Sequence, residues 1–375
     1  MRGGSIKVLA VLGAVAVVSG CSSALTRGQS AFLKRDYVKA VDELTTATSK
    51  LKAKHADYNI VKLNLALALW EKGDYAAAKE AFDDVANQIW GSRGWGSALS
   101  ESGVSLKGES KREWIGKENE QIFIRIYTGI AYMMNREYDS AIVEFQRCAE
   151  KNPRYPLVEY LWGLAAREIE DENAPVHFQN AFALQKNPFS QTSLIYLKAQ
   201  AGAVDEARGL YSDIAKGVAG NPPLESFDSL AQQGTNLCVV VEKHTKTKIK
   251  GDSSLRVLVD GQAYGMPYYL DNRDNRQAVK AAVGKGAVDV AGRVMRDQIA
   301  KKIPFVGLFM GGNRKAEVDS WFILPDRFYS YETHLQPGQH EIVVELLSSD
   351  GKVVSRATRT VEIVGSDLTL VPLIL

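Results

Sequence analysis

The 375-residue chain carries five histidines, three cysteines and 44 aspartates and glutamates, the residue types from which metal sites, nucleophiles and acid/base pairs are built. Their spacing argues against each of those uses. His55, His177, His244, His334 and His340 stand far apart, with no His-Glu-x-x-His pair and no Cys/His cluster able to close a tetrahedral zinc site. Gly116-Lys117 would end a phosphate-cradling loop only with a glycine five residues upstream and a hydroxyl residue after the lysine, and Lys111 and Glu118 occupy those places. No Gly-x-Ser-x-Gly elbow presents a serine nucleophile. Glu170-Asp171-Glu172 falls in an expected turn, where a run of like charges is a solvated surface and not an acid/base pair. The expectation is a non-catalytic chain with no catalytic, cofactor-binding or metal-binding residue. A deep pocket joining charged residues from distant segments would revive the enzyme reading.

Cys21 is the thiol whose surroundings point to chemistry. Arg2 and Lys7 precede an apolar run, Val8 to Val18, that is too short to span a bilayer, the pattern of an export signal over residues 1–20. The following Val18-Ser19-Gly20-Cys21-Ser22-Ser23 resembles the bacterial lipobox, with Val18 where leucine is commoner. The resemblance implies that Cys21 is acylated by palmitate-type chains and becomes the mature N-terminus. It also implies, through Ser22, delivery to the outer membrane with the chain facing the periplasm. Each buried methylene of such an anchor contributes about 0.8 kcal/mol, so several chains hold firmly where one does not. An ordinary signal peptide cut near Ala24 is the alternative. Cys148, on the apolar face of an expected helix, and Cys238, opening an apolar strand, read as two separately buried thiols and not as a disulfide. Arg2 and Lys7 also account for the whole formal excess of +2, which leaves the remainder neutral and argues against nucleic-acid binding.

The elements that would position anything further come in two halves. In the first, a small residue is followed four later by an aromatic or leucine and three after that by another small or middle-sized residue: Ala40/Leu44/Ala47, Ala78/Phe82/Val85, Ala141/Phe145/Cys148, Ala174/Phe178/Ala181 and Ala207/Tyr211/Ile214. Those spacings place each triplet on one helix face, and the last three recur every 33 residues. Lys34-Arg35-Asp36-Tyr37, Lys72-Gly73-Asp74-Tyr75 and Asn135-Arg136-Glu137-Tyr138 supply tight links to a preceding helix. With Gly129, Tyr132, Tyr138, Ala141, Phe145 and Pro153 in place, the third unit resembles the tetratricopeptide (TPR) repeat. The fourth departs, with Asp171 at the turn and Pro175 early in its second helix, and the fifth has Val204 at the turn. The resemblance implies a TPR-like α-solenoid over residues 21–215.

Stacked units of this kind offer their first-helix face for docking. The positions expected there are Leu63, Leu67, Trp70, Ile126, Ile130 and Met133, an apolar set suited to an apolar partner segment or to another part of the chain. A register one residue away would make them core. Residues 87–120 form an insertion holding Trp90, Trp95 and Trp114, which could stack on sugars or tuck an ordered loop against the repeats.

After a linker at 216–236 containing Asn221-Pro222-Pro223, the period changes to alternation. Expected strands are Leu237 to Glu242, Leu255 to Val259, Ser320 to Leu324, Tyr329 to Leu335, His340 to Leu347, Lys352 to Val364 and Leu368 to Ile374, an antiparallel β-sandwich over 237–375. A glycine-interrupted helical stripe at 275–302 is an inserted helix. The apolar Pro304 to Met310 that follows, with Phe305 and Phe309, would touch the repeat groove, lipid or a partner, or else cap the sandwich.

Trp114-x-Gly116, Glu120, Tyr127 to Met134, Ala141-Ile142-Val143-Glu144, Asp319-Ser320-Trp321, Leu324-Pro325 and Pro337-Gly338 are together similar to a family of TPR-containing bacterial outer-membrane lipoproteins with a C-terminal β domain. The family implies an envelope setting and no activity. The expectation is therefore an α plus β multidomain scaffold that holds other envelope proteins, anchored to the membrane through lipid. The rival is a module that binds peptidoglycan or polysaccharide.

Overall fold

The computed structural model describes residues 24–53, 55, 57–91, 116, 118–151, 155–217, 226–243, 254–269, 325 and 327–375. These fall into two compact units, one ending at Ile124 and the other beginning at Arg125. In the first, helices α1 (residues 24–33) and α2 (Tyr37–Ser49) make one hairpin, and α3 (Tyr58–Lys72) and α4 (Tyr75–Ala86) make a second. A π-helical turn, Asn87–Gly91, follows. Helix α5 (Glu118–Met134) crosses the division. It leads into three hairpins completed by α6 (Tyr138–Lys151), α7 (Pro156–Glu168), α8 (Ala174–Leu184), α9 (Pro188–Gln200) and α10 (Val204–Gly217).

All five hairpins close in the same way. Arg35, Gly73, Arg136, Glu170 and Gly202 take a left-handed conformation, with φ of 62°, 92°, 60°, 57° and 80°. The N–H of the next residue (Asp36, Asp74, Glu137, Asp171, Ala203) then donates to the carbonyl five residues back, 2.9 to 3.0 Å away. This six-residue closure satisfies carbonyls that a helix C-terminus leaves bare. It holds in the fourth and fifth hairpins although their turn residues differ from the tyrosine pattern. Asp36 and Asp74 also cap the second helices by accepting from the Lys39 and Ala77 N–H groups. Pro175 sits in the first turn of α8, where its missing N–H has no helical partner to lose.

The repeated triplets are core. Phe82, Phe145 and Phe178 are all fully buried, each contributing on the order of 2 kcal/mol through its apolar area. Their rings fit because small residues face them: a Cβ on Gly129 would lie 2.5 Å from Phe145, and one on Gly163 would lie 3.0 Å from Phe178. Gly28 stands in the same relation to Leu44 of the first hairpin, at 2.5 Å.

Residues 216–236, expected to be a linker, contain helix α11 (Phe227–Gln233). Its Phe227 and Leu230 bury beside Ile195, Ala207 and Ile214, so α11 finishes the helical stack. Two apolar residues three apart suffice for one more packed turn.

Among the described residues the strands form two four-stranded sheets. Sheet A holds β1 (Leu237–Lys243), β4 (Tyr268–Tyr269), β5 (Arg327–Thr333) and β8 (Thr369–Ile374) in the order β4-β5-β1-β8. Sheet B holds β2 (Ser254–Val259), β3 (Gln262–Gly265), β6 (Gly338–Leu347) and β7 (Val353–Ile363) in the order β3-β2-β6-β7. The expectation of an all-antiparallel arrangement is corrected here: β1 and β8 run parallel, Leu237 opposite Thr369 and Glu242 opposite Ile374. Alternation reports which face a side chain takes and carries no information on strand direction. Leu237 to Val241 are all fully buried, as in a strand covered on both faces, whereas β2 alternates. The short β3 and β4 had not been expected; the Asp260-Gly261 pair was the turn signal that marks the β2–β3 hairpin. The expected strand Ser320 to Leu324, the helix at 275–302 and the segment Pro304 to Met310 lie outside the described residues.

Candidate functional site at the seam of repeats and sheet

Within the second unit, the first helices of the three hairpins carry polar side chains that end on sheet A. Tyr127 on α5 donates its hydroxyl hydrogen to Glu242 on β1 at 2.6 Å. Asn187, capping α9, donates to Ser330 on β5 at 2.9 Å, and Phe189 meets Tyr331 edge-on with centroids 5.2 Å apart. Glu168, at the end of α7, accepts the backbone N–H of Leu368 at 3.0 Å.

The centre of this seam is Glu332 on β5. Its carboxylate accepts from the Tyr160 hydroxyl, from Ser193 at 3.0 Å and from Thr235 at 2.5 Å. Arg167 does not touch Glu332 directly. Its guanidinium donates to the same Ser193 and Thr235 oxygens at 3.3 and 3.2 Å, so two hydroxyls relay between cation and anion. The other side of that guanidinium is held by Glu168 at 3.0 to 3.1 Å. Because the Tyr160 hydrogen is directed at Glu332, the Cys238 thiol 3.3 Å away is the donor to the Tyr160 oxygen. Helical spacing explains the assembly: Tyr160 and Arg167 are seven apart on α7, hence on one face.

Burial pushes the Glu332 carboxyl above the usual glutamate range, opposed by Arg167 and by the three hydroxyl donors. Burial raises Tyr160 and Cys238 as well. Every group in the cluster points at another protein group, so the arrangement acts as a polar clamp on a buried interface. An unpaired charge there would be costly, which makes the clamp selective for this seating of sheet on helices.

A second buried pair braces the third hairpin. Arg125 on α5 meets Glu144 on α6 at 2.5 Å, and Arg147 reaches the other Glu144 oxygen at 2.6 Å. Cys148 lies in the same core; it and Cys238 are separate buried thiols. His177 stacks on Trp162 with centroids 3.9 Å apart and contacts Glu159 at 2.9 Å, the surroundings of a packing histidine.

The six residues expected on the groove face, there to be covered by a partner segment or by another part of the chain, are buried. Leu63, Leu67, Trp70, Ile126, Ile130 and Met133 are all at most 3% exposed. Trp70 packs edge-on to Phe82 and Tyr75 of its own hairpin, at 6.1 and 6.3 Å, and so is hairpin core. Apolar periodicity identifies a buried face without identifying what buries it. Trp90 is 9% exposed in the π-helical turn, which removes it as an open sugar platform. Cys21, Trp95, Trp114, Phe305 and Phe309 lie outside the described residues. The seam residues were missed because they are single polar letters with no motif spacing, Tyr160 and Glu332 being 172 positions apart. The available signal was Glu242 directly after the apolar run Leu237 to Val241, since a charge placed there needs a buried partner.

Among the described residues, no group of three or more His, Cys, Asp or Glu could hold a metal ion. No described helix is long and apolar enough to cross a membrane. No protein-family model matches the chain, and no curated protein matches it. Among solved structures, the chain is similar to MamA 41-end from Desulfovibrio magneticus RS-1 at 14% identity and a TM-score of 0.41, over 52% of this chain and 94% of that one. MamA AMB-1 is similar at 17% identity and a TM-score of 0.38, over 55% of this chain and 93% of that one. Likenesses of this size carry no argument, and the TPR-like assignment rests on the repeated hairpins and their common closure.

Proposed function

We propose that the chain is a cell-envelope lipoprotein, anchored to the outer membrane through acylated Cys21 and facing the periplasm, that works as a non-catalytic scaffold for other envelope proteins. The observation that carries the scaffold reading is the seam. The buried, perturbed groups Tyr160, Arg167, Cys238 and Glu332 are engaged in holding sheet A on the first helices, which supports a role in displaying surface over one in transforming a substrate. Since the first-helix face of that unit is covered by the chain itself, partners are taken by outward surfaces, in contrast to peptide binding in an open repeat groove. The two sheets, read as the halves of a sandwich, supply the second such surface.

Two measurements test this. Metabolic labelling with an alkyne fatty acid should mark the wild-type chain and not a Cys21→Ser variant; equal labelling of both, or of neither, would remove the anchor. Crosslinking in cells followed by purification should recover a reproducible envelope protein. Recovery of glycan alone would turn the reading to the rival module.

A further inference from the structure

His340, at the start of β6, has an acceptor at each ring nitrogen: Asp260 Oδ2 lies 2.8 Å from Nδ1, and the Gln336 carbonyl lies 2.9 Å from Nε2. Neither a carboxylate nor a carbonyl can donate, and a neutral imidazole has one N–H. Only the imidazolium satisfies both contacts. The histidine thereby joins the turn between β2 and β3, where Asp260 lies, to the loop between β5 and β6. Asp260 is fastened further by its Oδ1, which accepts the Glu341 N–H at 2.9 Å, and by its own N–H, which donates to the Glu341 carbonyl at 2.9 Å. Asp260 and Gly261 form the hairpin turn with φ of 50° and 77°.

We propose that His340 is a pH-sensitive clasp that holds the β2–β3 hairpin against the β5–β6 loop while protonated and releases it on losing that proton. The hairpin leads to Tyr264 and Met266, 38% and 39% exposed, so the clasp governs how rigidly two apolar side chains are presented to solvent.

The groups around the ring favour the cation. Asp260 faces it from the turn, and Glu341 follows it on β6. Across the ladder from His340 stands Val361, flanked on β7 by Thr360 and Glu362, with Arg359 opposite Ile342. The loop contributes Leu335, Gln336 and Pro337, none charged, after His334, and Gln339 precedes the histidine on β6. The Asp260 hydrogen bond and then the Gln336 carbonyl raise the His340 pKa above its ordinary 6.5. The Glu341 N–H and then His340 hold Asp260 below its ordinary 3.8. For the raised histidine, the contribution is complete below 6.5 and is lost as pH rises through the folded-state value. For the depressed aspartate, it is present above 3.8 and is lost as pH falls through the folded-state value. The clasp is therefore closed in the window between.

The test is an NMR titration of the full chain, with the His340 ring signal identified by its disappearance in His340→Gln, alongside hydrogen-exchange protection factors for the Glu341 and Asp260 amides. The expected result is a His340 midpoint above 6.5, with protection of both amides falling several-fold across that midpoint. Asp260→Asn, which keeps a residue tolerant of the left-handed turn, should lower the midpoint and carry the loss of protection down with it. A wild-type midpoint at or below the ordinary histidine value would overturn the proposal, as would protection that does not follow the titration.

Discussion

Gly129 on α5 faces the ring of Phe145 on α6 so closely that a Cβ would lie 2.5 Å from Cε1 and 2.8 Å from Cζ. The ring is fully buried and has no open side to move toward. Gly129→Ala should therefore destabilise the chain, by about 1–3 kcal/mol for overpacking a filled core, read from the urea midpoint of the second unit. A neutral result would mean that the hairpin relaxes far more easily than its packing indicates.

Two other glycines separate backbone from steric causes. Gly202 has no heavy atom near its virtual Cβ but holds φ at 80°, so Gly202→Ala should cost about 1 kcal/mol through conformation alone. Gly209, exposed within α10, has neither constraint, and Gly209→Ala should stabilise by roughly 0.5–1 kcal/mol. Denaturation curves giving both variants the same sign would contradict this division.

The common closure of the hairpins makes a further case. Glu170 is exposed and adopts a left-handed φ of 57°, a conformation that glycine takes without a Cβ penalty. Glu170→Gly should raise the melting temperature modestly, whereas the same change at Glu172, beyond the closure, should not.

Arg167 reaches Glu332 through Ser193 and Thr235. Arg167→Met keeps much of the side-chain volume and leaves Glu332 without its nearby cation, at an expected cost of about 3–5 kcal/mol. Replacing both, as Arg167→Met with Glu332→Leu, should recover part of that loss. A double variant no better than the single would show that the charges are not coupled across the seam.

Cys148 and Cys238 are buried, and burial pushes both thiols up, away from the reactive thiolate. Mass-spectrometric mapping after maleimide treatment should find both unlabelled in the native chain and labelled in urea. Native labelling of Cys238 would mean that the seam opens under ordinary conditions.

Much of the helical half was legible from residue order. A triplet such as Ala141/Phe145/Cys148 is written by local geometry: helical periodicity dictates which side chains share a face, and tight turns need only neighbouring residues. The alternation of β2 and the apolar run of β1 were readable for the same reason. The seam was not. Whether Ile126 and Met133 face a partner or a core, whether β1 meets β8 in parallel, and whether Glu332 finds Tyr160 and Arg167 depend on contacts between residues more than a hundred positions apart. Periodicity says that a face must be buried and leaves open what buries it; that choice belongs to tertiary packing, where the desolvation of a few isolated charges selects one seating of sheet on helix.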